Sequence, residues 1–154
     1  MVGNIEKYLT PEAVNQSTYE LNLQINVLID EDKGNLYLFE EQNFPNWVKY
    51  FKDAEINNVL IAKISNKIVG SVILIGNEGF VWSKLLEKPG GFGALGVSED
   101  HRGKGIGLAI AAKATEILKE RGIMNSFLGW TYLDKWYGKL GYSVWREYEY
   151  GNLK

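Results

Sequence analysis

Apolar and polar residues alternate in "LNLQINVLI", where Leu21, Leu23, Ile25, Val27 and Ile29 fall on one side, and this predicts a strand. Before it, "YLTPEA" offers Thr10 as a cap and Pro11 at a first helical position, which predicts a short turn of helix. "EDKGN" reads as a turn. From Leu36 to Glu55 the pattern is helical, but Pro45 in "NFPNW" removes a backbone donor and divides the segment into two short helices. "NVLIAKISNKIVGSVILIG" holds two β-branched apolar runs joined at Ser65-Asn66-Lys67, the composition of a hairpin. Gly76 to Gly91 is irregular, and "FGALGV" reads as a strand with glycine inside it. Helical periodicity returns over Ile106 to Arg121, with Ile106, Ala109, Ile110, Ile117 and Leu118 on the apolar side and Gly122 as the stop. "IMNSFLGW" is a further strand. "TYLDKWYGKLG" sets Thr131 and Asp134 at capping-box spacing and Leu133, Trp136, Tyr137 and Leu140 on one helix face. Gly141 ends that helix and "YSVWREYEY" closes as a strand. The order is strand, two helices, three strands, helix, strand, helix, strand. It predicts an α/β (α+β) fold of helices packed on one sheet.

At 154 residues the chain is read as one domain, 1–154, large enough for a real core. A formal charge of −2 gives no basic footprint for a nucleic acid, although a local site for a small anion is allowed. With no cysteine there is no disulfide, thiolate metal site or cysteine nucleophile. No apolar run suits a membrane span and "MVGNIEKYLTPE" has no signal-peptide core, so the expected location is the cytoplasm. A Ser-His-Asp arrangement would have to run through the single histidine, His101, and no G-x-S-x-G accompanies it. No metal site is expected, since nearly all its ligands would have to be carboxylates.

The candidate chemistry lies in "GGFGALGVSEDHRGKGIG", with seven glycines among the eighteen residues from Gly90 to Gly107. Gly91, Gly93 and Gly96 spell G-x-G-x-x-G. A dinucleotide site needs a strand before that motif and a helix opening inside it, and neither is readable here. Gly103, Gly105 and Gly107 do stand between a strand end at Val97 and a helix. There, successive backbone N–H groups and the helix dipole converge on an anion, with Arg102 and Lys104 adding charge. From the residues alone, a glycine-rich strand-to-helix turn without a ligand stands beside that reading. Each glycine weakens a helix start by roughly 1 kcal/mol against alanine.

Arg102-Gly103-Lys104-Gly105-Ile106-Gly107 resembles the R-x-x-G-x-G/A motif of the Gcn5-related N-acetyltransferases, and "WYGKLGY" resembles that family's Y-x-x-x-G-[FY] ending. The similarity runs over Val59 to Tyr148. The N-terminal third matches in element order only, although "NFPNWVKY" and "GWTYLDKWYGKLGYSVWREY" resemble the C-terminal domains of tandem two-domain members. The resemblance implies a mixed, mostly antiparallel central sheet with splayed parallel strands and helices on both faces. It also implies acetyl-CoA as cosubstrate and no metal. Leu95, Gly96 and Val97 would line the thioester end, with Gly93 and Gly96 marking a bulge or close approach in the strand. Arg102, Gly103, Lys104, Gly105, Ile106 and Gly107 would hold the pyrophosphate.

The same resemblance implies transfer of an acetyl group to a primary amine by direct attack on the thioester. Tyr137 would protonate the departing thiolate. Read without the family, Tyr137 is a core aromatic beside Leu133 and Trp136. Many members carry asparagine seven residues before that tyrosine, where this chain has Trp130 in the cofactor-binding position, with Thr131 beside it. For the general base, Glu78, Glu40 and Glu41 are candidates, each also readable as a solvated surface charge. Glu99 and Asp100 are expected to point away from the ligand, and His101 to sit on the exposed turn without a catalytic role. Phe44, Pro45, Trp47, Phe80 and Trp82 would wall the acceptor, a small-molecule or peptide amine. The alternating strand and the tyrosines are candidates for a homodimer interface. The alternative function is a catalytically inactive, CoA-binding sensor or regulatory module.

Overall fold

The structure, a computed structural model, describes residues 2–76 and 88–127. In chain order the elements are β1 (Val2–Asn4), α1 (Glu12–Glu20), β2 (Gln24–Val27), α2 (Lys33–Asn43), α3 (Val48–Asp53), β3 (Val59–Ile64), β4 (Lys67–Ile75), β5 (Pro89–Val97), α4 (Ile106–Glu120) and β6 (Asn125–Phe127). The six strands form one sheet in the order β1-β6-β5-β4-β3-β2. All neighbours are antiparallel except β5 and β6, which run parallel. This is the expected mixed sheet. The predicted closing helix and strand, with Trp130 and Tyr137, lie outside the described residues, as do Glu78, Phe80 and Trp82.

Local rules account for most boundaries. Ser65 and Asn66 both adopt left-handed backbone, φ 51° and 64°, as a two-residue hairpin turn between β3 and β4 demands. Pro45 opens a 3-10 turn, Pro45–Trp47, that separates α2 from α3 where the sequence reading divides them. Gly122, at φ 88°, follows the last residues of α4 and turns the chain toward β6.

Three expectations change. The strand read over Leu21 to Ile29 shrinks to Gln24–Val27. Leu21 closes α1 by donating its N–H to the Ser17 carbonyl, and Asn22 turns left-handed at φ 51°. As a sheet edge, β2 buries little: Val27 and Ile29 are exposed, whereas the flanking Leu23 and Leu28 are buried. The opening helix is nine residues long, and Pro11 takes its N-cap position. Thr10 instead donates its hydroxyl to Glu116 of α4 at 2.6 Å. Strand β1 was not legible, because three residues carry no periodicity. It is held by pairing with β6 and by the Ile5 N–H, which donates to the Met124 carbonyl at 2.8 Å.

Each face of the sheet has its own core. On one, α4 lays Ile106, Ile110 and Leu118 on Leu60, Val72 and Phe92. Fully burying each such side chain contributes roughly 1.5–3 kcal/mol. Gly70 marks the closest approach there: a Cβ at that position would stand 2.6 Å from Ile110 Cδ1 and 3.0 Å from the Gly96 carbonyl oxygen. On the other face, Leu36 and Phe39 of α2 and Phe51 of α3 cover Val59, Ile61 and Ile68.

The second core contains a carboxyl group. Glu40 is fully buried, and so is Ser71 in the middle of β4, whose hydroxyl donates to Glu40 Oε1. Glu40 Oε2 has no hydrogen-bond partner among the described residues. Burial disfavours the carboxylate and, although the Ser71 hydrogen bond opposes it, pushes the pKa from 4.5 up to about 7. The unfolded carboxyl therefore ionises first. Between pH 4.5 and about 7 the folded chain binds the extra proton, so Glu40 lowers stability as pH rises through that window and holds it low above it. Glu40→Gln keeps an amide in the same space without the charge. It should raise the melting temperature at pH 8 more than at pH 5, which thermal unfolding across pH would show. An equal shift at both pH values would exclude ionisation as the cause.

Candidate active site

The site is assembled around β5. Its pairing with β4 runs from Ile75↔Gly91 to Gly70↔Val97 but slips between Ser71 and Ile73, so that an extra residue bulges from β5. Ala94, at φ 53°, is the left-handed residue there. The sequence reading gave the bulge to Gly93 and Gly96. The glycines instead flank it and do different work. Gly96 lies directly under the Phe44 ring, where a Cβ would stand 2.4 Å from Phe44 Cε2. Alanine in left-handed backbone costs roughly 1–2 kcal/mol, and strain of this kind gathers at functional sites.

On its other edge β5 pairs in parallel with β6, over Pro89–Gly91 among the described residues, which end at Phe127. The later part of β5 lies beside α4.

Beyond Val97 the chain makes a 3-10 turn, Glu99–His101, and then passes through Arg102, Gly103, Lys104 and Gly105 into α4. Gly103 and Gly105 take φ 79° and 83°, a conformation that favours glycine. Gly105 is also crowded, since a Cβ there would lie 3.3 Å from Ser17 Oγ of α1. No side chain caps α4, and its first backbone bond is Ala109 N–H to the Gly105 carbonyl. The N–H groups of Ile106 to Leu108 are thus without intrahelical partners at the positive end of a fifteen-residue helix.

These donors face a cavity of about 270 Å³ lined by Leu95 to Val97, His101 to Gly103 and Gly105 to Leu108. Of the residues expected at the pyrophosphate turn, Lys104 alone is not in the lining. It is exposed, and its charge acts from outside. Arg102 is held by its Nε, which donates to the Val97 carbonyl at 3.2 Å, and the residue lines the cavity. Glu99 and Asp100 are exposed and do not line it. His101 differs from expectation. It is half-buried, its Nδ1 lies 2.8 Å from Ser98 Oγ, and it is among the residues that line the cavity. A turn with two acidic residues hid that placement.

The carboxylate candidates also separate. Glu41 is exposed, while Glu40 is buried on Ser71, the residue paired with Gly96 across β4 and β5. Two signals in the sequence pointed to this pair. Glu40 stands four residues after Leu36, on the apolar face of α2, and Ser71 is a hydroxyl inside the apolar run "IVGSVILI". Phe44, one turn beyond Glu40, stacks on Trp47 with ring centroids 4.8 Å apart. These two of the five aromatic and proline residues expected on the acceptor side thus form one stacked pair beside α2.

The arrangement brings the free N–H groups of a helix start and the end of β5 to one cavity. The profile of the acetyltransferase (GNAT) family matches residues 17–142. A GCN5-related glucosamine N-acetyltransferase region of a fungal multi-domain GH3 β-N-acetylglucosaminidase superposes with a TM-score of 0.86 at 25% identity, over 94% of this chain and 19% of that one. A GCN5-related N-acetyltransferase from Sphaerobacter thermophilus gives 0.57 at 19% identity, over 77% of this chain and 40% of that one. Rv2747 from Mycobacterium tuberculosis, solved in complex with CoA and NLQ, gives 0.57 at 15%, over 75% and 69% of the two chains. The latter two share the fold alone. The chain spans well under half the length of the first two proteins. Among curated proteins no sequence relative matches. With the profile covering most of its length, the chain belongs to the GNAT family of acetyltransferases.

Proposed function

We propose that the chain transfers an acetyl group from acetyl-CoA to a primary amine. One observation carries the reading: the uncapped N-terminus of α4, entered through two left-handed glycines, opens into a cavity that Leu95 to Val97 of β5 also line. The donor set suits a pyrophosphate. It combines backbone N–H groups, a helix dipole and the Arg102 guanidinium, with neither acidic residue of the turn in the lining. Leu95 to Val97 would take the thioester end of the cosubstrate.

When bound, acetyl-CoA supplies an activated thioester. The chain's own part is to orient it and handle charge. Backbone N–H groups at Leu95 to Val97, beside the bulge, would stabilise the negative charge that develops on the carbonyl oxygen. Tyr137 is the proposed donor to the departing thiolate. A phenol of pKa about 10 facing a thiol of about 8.5 acts by hydrogen bonding as much as by full transfer. For the acceptor, the fungal neighbour, named as a glucosamine N-acetyltransferase region, makes an amino sugar the first amine to test.

Thermal unfolding with acetyl-CoA, CoA and NADH in parallel tests the cofactor. At a hundredfold excess over Kd a true ligand adds roughly 2.7 kcal/mol, a shift of about 5–10 °C for a domain of this size. Both CoA species should give it and NADH should not. The absence of a shift with either CoA species would return the glycines to a structural turn. Tyr137→Phe should keep that shift and lose turnover by a factor on the order of 10²–10⁴. Full turnover in the variant would remove Tyr137 from the mechanism. A wild type that binds CoA and acetylates no amine in a broad panel would instead be a CoA-binding regulatory module.

A further inference from the structure

We propose that Glu40 is the final acceptor of the proton released by the attacking amine, with Ser71 as the hydroxyl that passes it on. This rests on the acetyltransferase reading and supplies the general base that the reading lacks.

The geometry forms a short line through the sheet. Glu40 Oε1 accepts the Ser71 hydroxyl, Ser71 is paired with Gly96 across β4 and β5, and Gly96 lines the cavity next to the bulge at Ala94. Phe44 lies over Gly96 on the same face and is held one turn from Glu40, its N–H donating to the Glu40 carbonyl at 2.7 Å. It caps α2 in non-helical backbone, φ −143° and ψ 66°, and is half-buried. Phe44, stacked on Trp47, lies over this face, with Ser71 and Glu40 buried in the same core. The second carboxylate oxygen is buried with no partner among the described residues, so Glu40 retains unused hydrogen-bonding capacity.

The transfer balances without any added reactant. One N–H bond of the amine breaks as an O–H bond forms at Ser71 Oγ. The original Ser71 proton moves to Glu40 Oε1, and the nitrogen lone pair forms the new N–C bond. The carboxylate becomes a carboxylic acid and returns its proton to solvent when product leaves.

The charges on neighbouring elements leave Glu40 alone, among the described residues. Asp32 and Lys63 bind each other at 2.9 Å, and Asp30 bridges Lys33 at 3.2 Å. Lys49 and Lys52 of α3 lie over the Tyr50 and Tyr37 rings. Glu31, Glu41, Asp53 and Lys67 are exposed. Burial and Ser71 alone set its titration, which centres near pH 7. A proton acceptor works best when its pKa lies near the operating pH.

The test compares wild type, Glu40→Gln and Ser71→Ala for acetyl-CoA-induced melting shift and for kcat and KM with glucosamine and an amine panel, from pH 5.5 to 9. The two variants should retain the melting shift and the KM for acetyl-CoA while kcat falls on the order of 10²–10⁴-fold. The fall of rate below pH 7 that belongs to wild type should vanish in Glu40→Gln. A merely structural carboxyl predicts wild-type kcat and pH profile in Glu40→Gln, and that result overturns the proposal. Loss of the melting shift in a folded Glu40→Gln would also overturn it, by making the residue part of the binding surface. If wild type neither binds acetyl-CoA nor transfers acetyl, the underlying reading fails first and this one with it.

Discussion

The pairing of β5 with β4 is the constraint on which the rest of the site depends. It runs from Gly91 to Val97 and slips at one place, between Ser71 and Ile73. The bulge there turns the local backbone out of the regular ladder at Ala94 while the strands on either side stay in register. It is followed at once by Leu95 to Val97, the strand residues that line the cavity at the start of α4.

The end of β5 is also where α4 begins. Its apolar face is fixed by Ile106, Ile110 and Leu118 on the sheet, and Gly70 lets the helix sit close. Once the helix body is held there, its N-terminus has to open where β5 ends, and the chain must reverse within a few residues to enter it. Gly103 and Gly105 provide that reversal at φ 79° and 83°. A capping serine or aspartate at Gly105 would satisfy one of the free N–H groups, and an aspartate would add negative charge. Stability of the isolated helix and binding of an anion therefore favour different residues at that position. The glycine leaves the donors available.

Much of this was legible because local rules and tertiary needs coincide. Ser65-Asn66 is a turn in any context, Pro45 divides any helix, and the periodicity of α4 has one solution. The glycine turn was readable from its place between an apolar strand end and that helix. Where tertiary context decides, the sequence was silent or misleading. "LNLQINVLI" alternates over nine residues, yet at the sheet edge only Gln24–Val27 pair, and the predicted apolar side is partly in solvent. His101 looked like part of an exposed acidic turn, yet it is bonded to Ser98 and is among the residues that line the cavity. Glu40 looked like half of an exposed Glu-Glu pair. The helical phase from Leu36 sends it inward and Glu41 outward, and Ser71 on a strand thirty-one residues away receives it.

The two cores answer different demands. The α4 face is apolar and fixes where the helix sits. The α2 face accepts a carboxyl group beside Val59, Ile61 and Ile68, at a cost that neither the Ser71 bond nor packing removes. An unpaired buried polar atom costs about 1–3 kcal/mol, and a hydrocarbon of the same shape would avoid it. Such a group must also alternate between charged and neutral if it is to take and release protons. Burial without any partner would keep the carboxyl protonated and unable to accept, while full solvation would make it too weak a base near neutral pH. Burial opposed by a single hydroxyl donor brings it to about 7, where both forms are accessible. The physical conditions that make Glu40 a poor core residue are thus those that a proton acceptor at neutral pH requires.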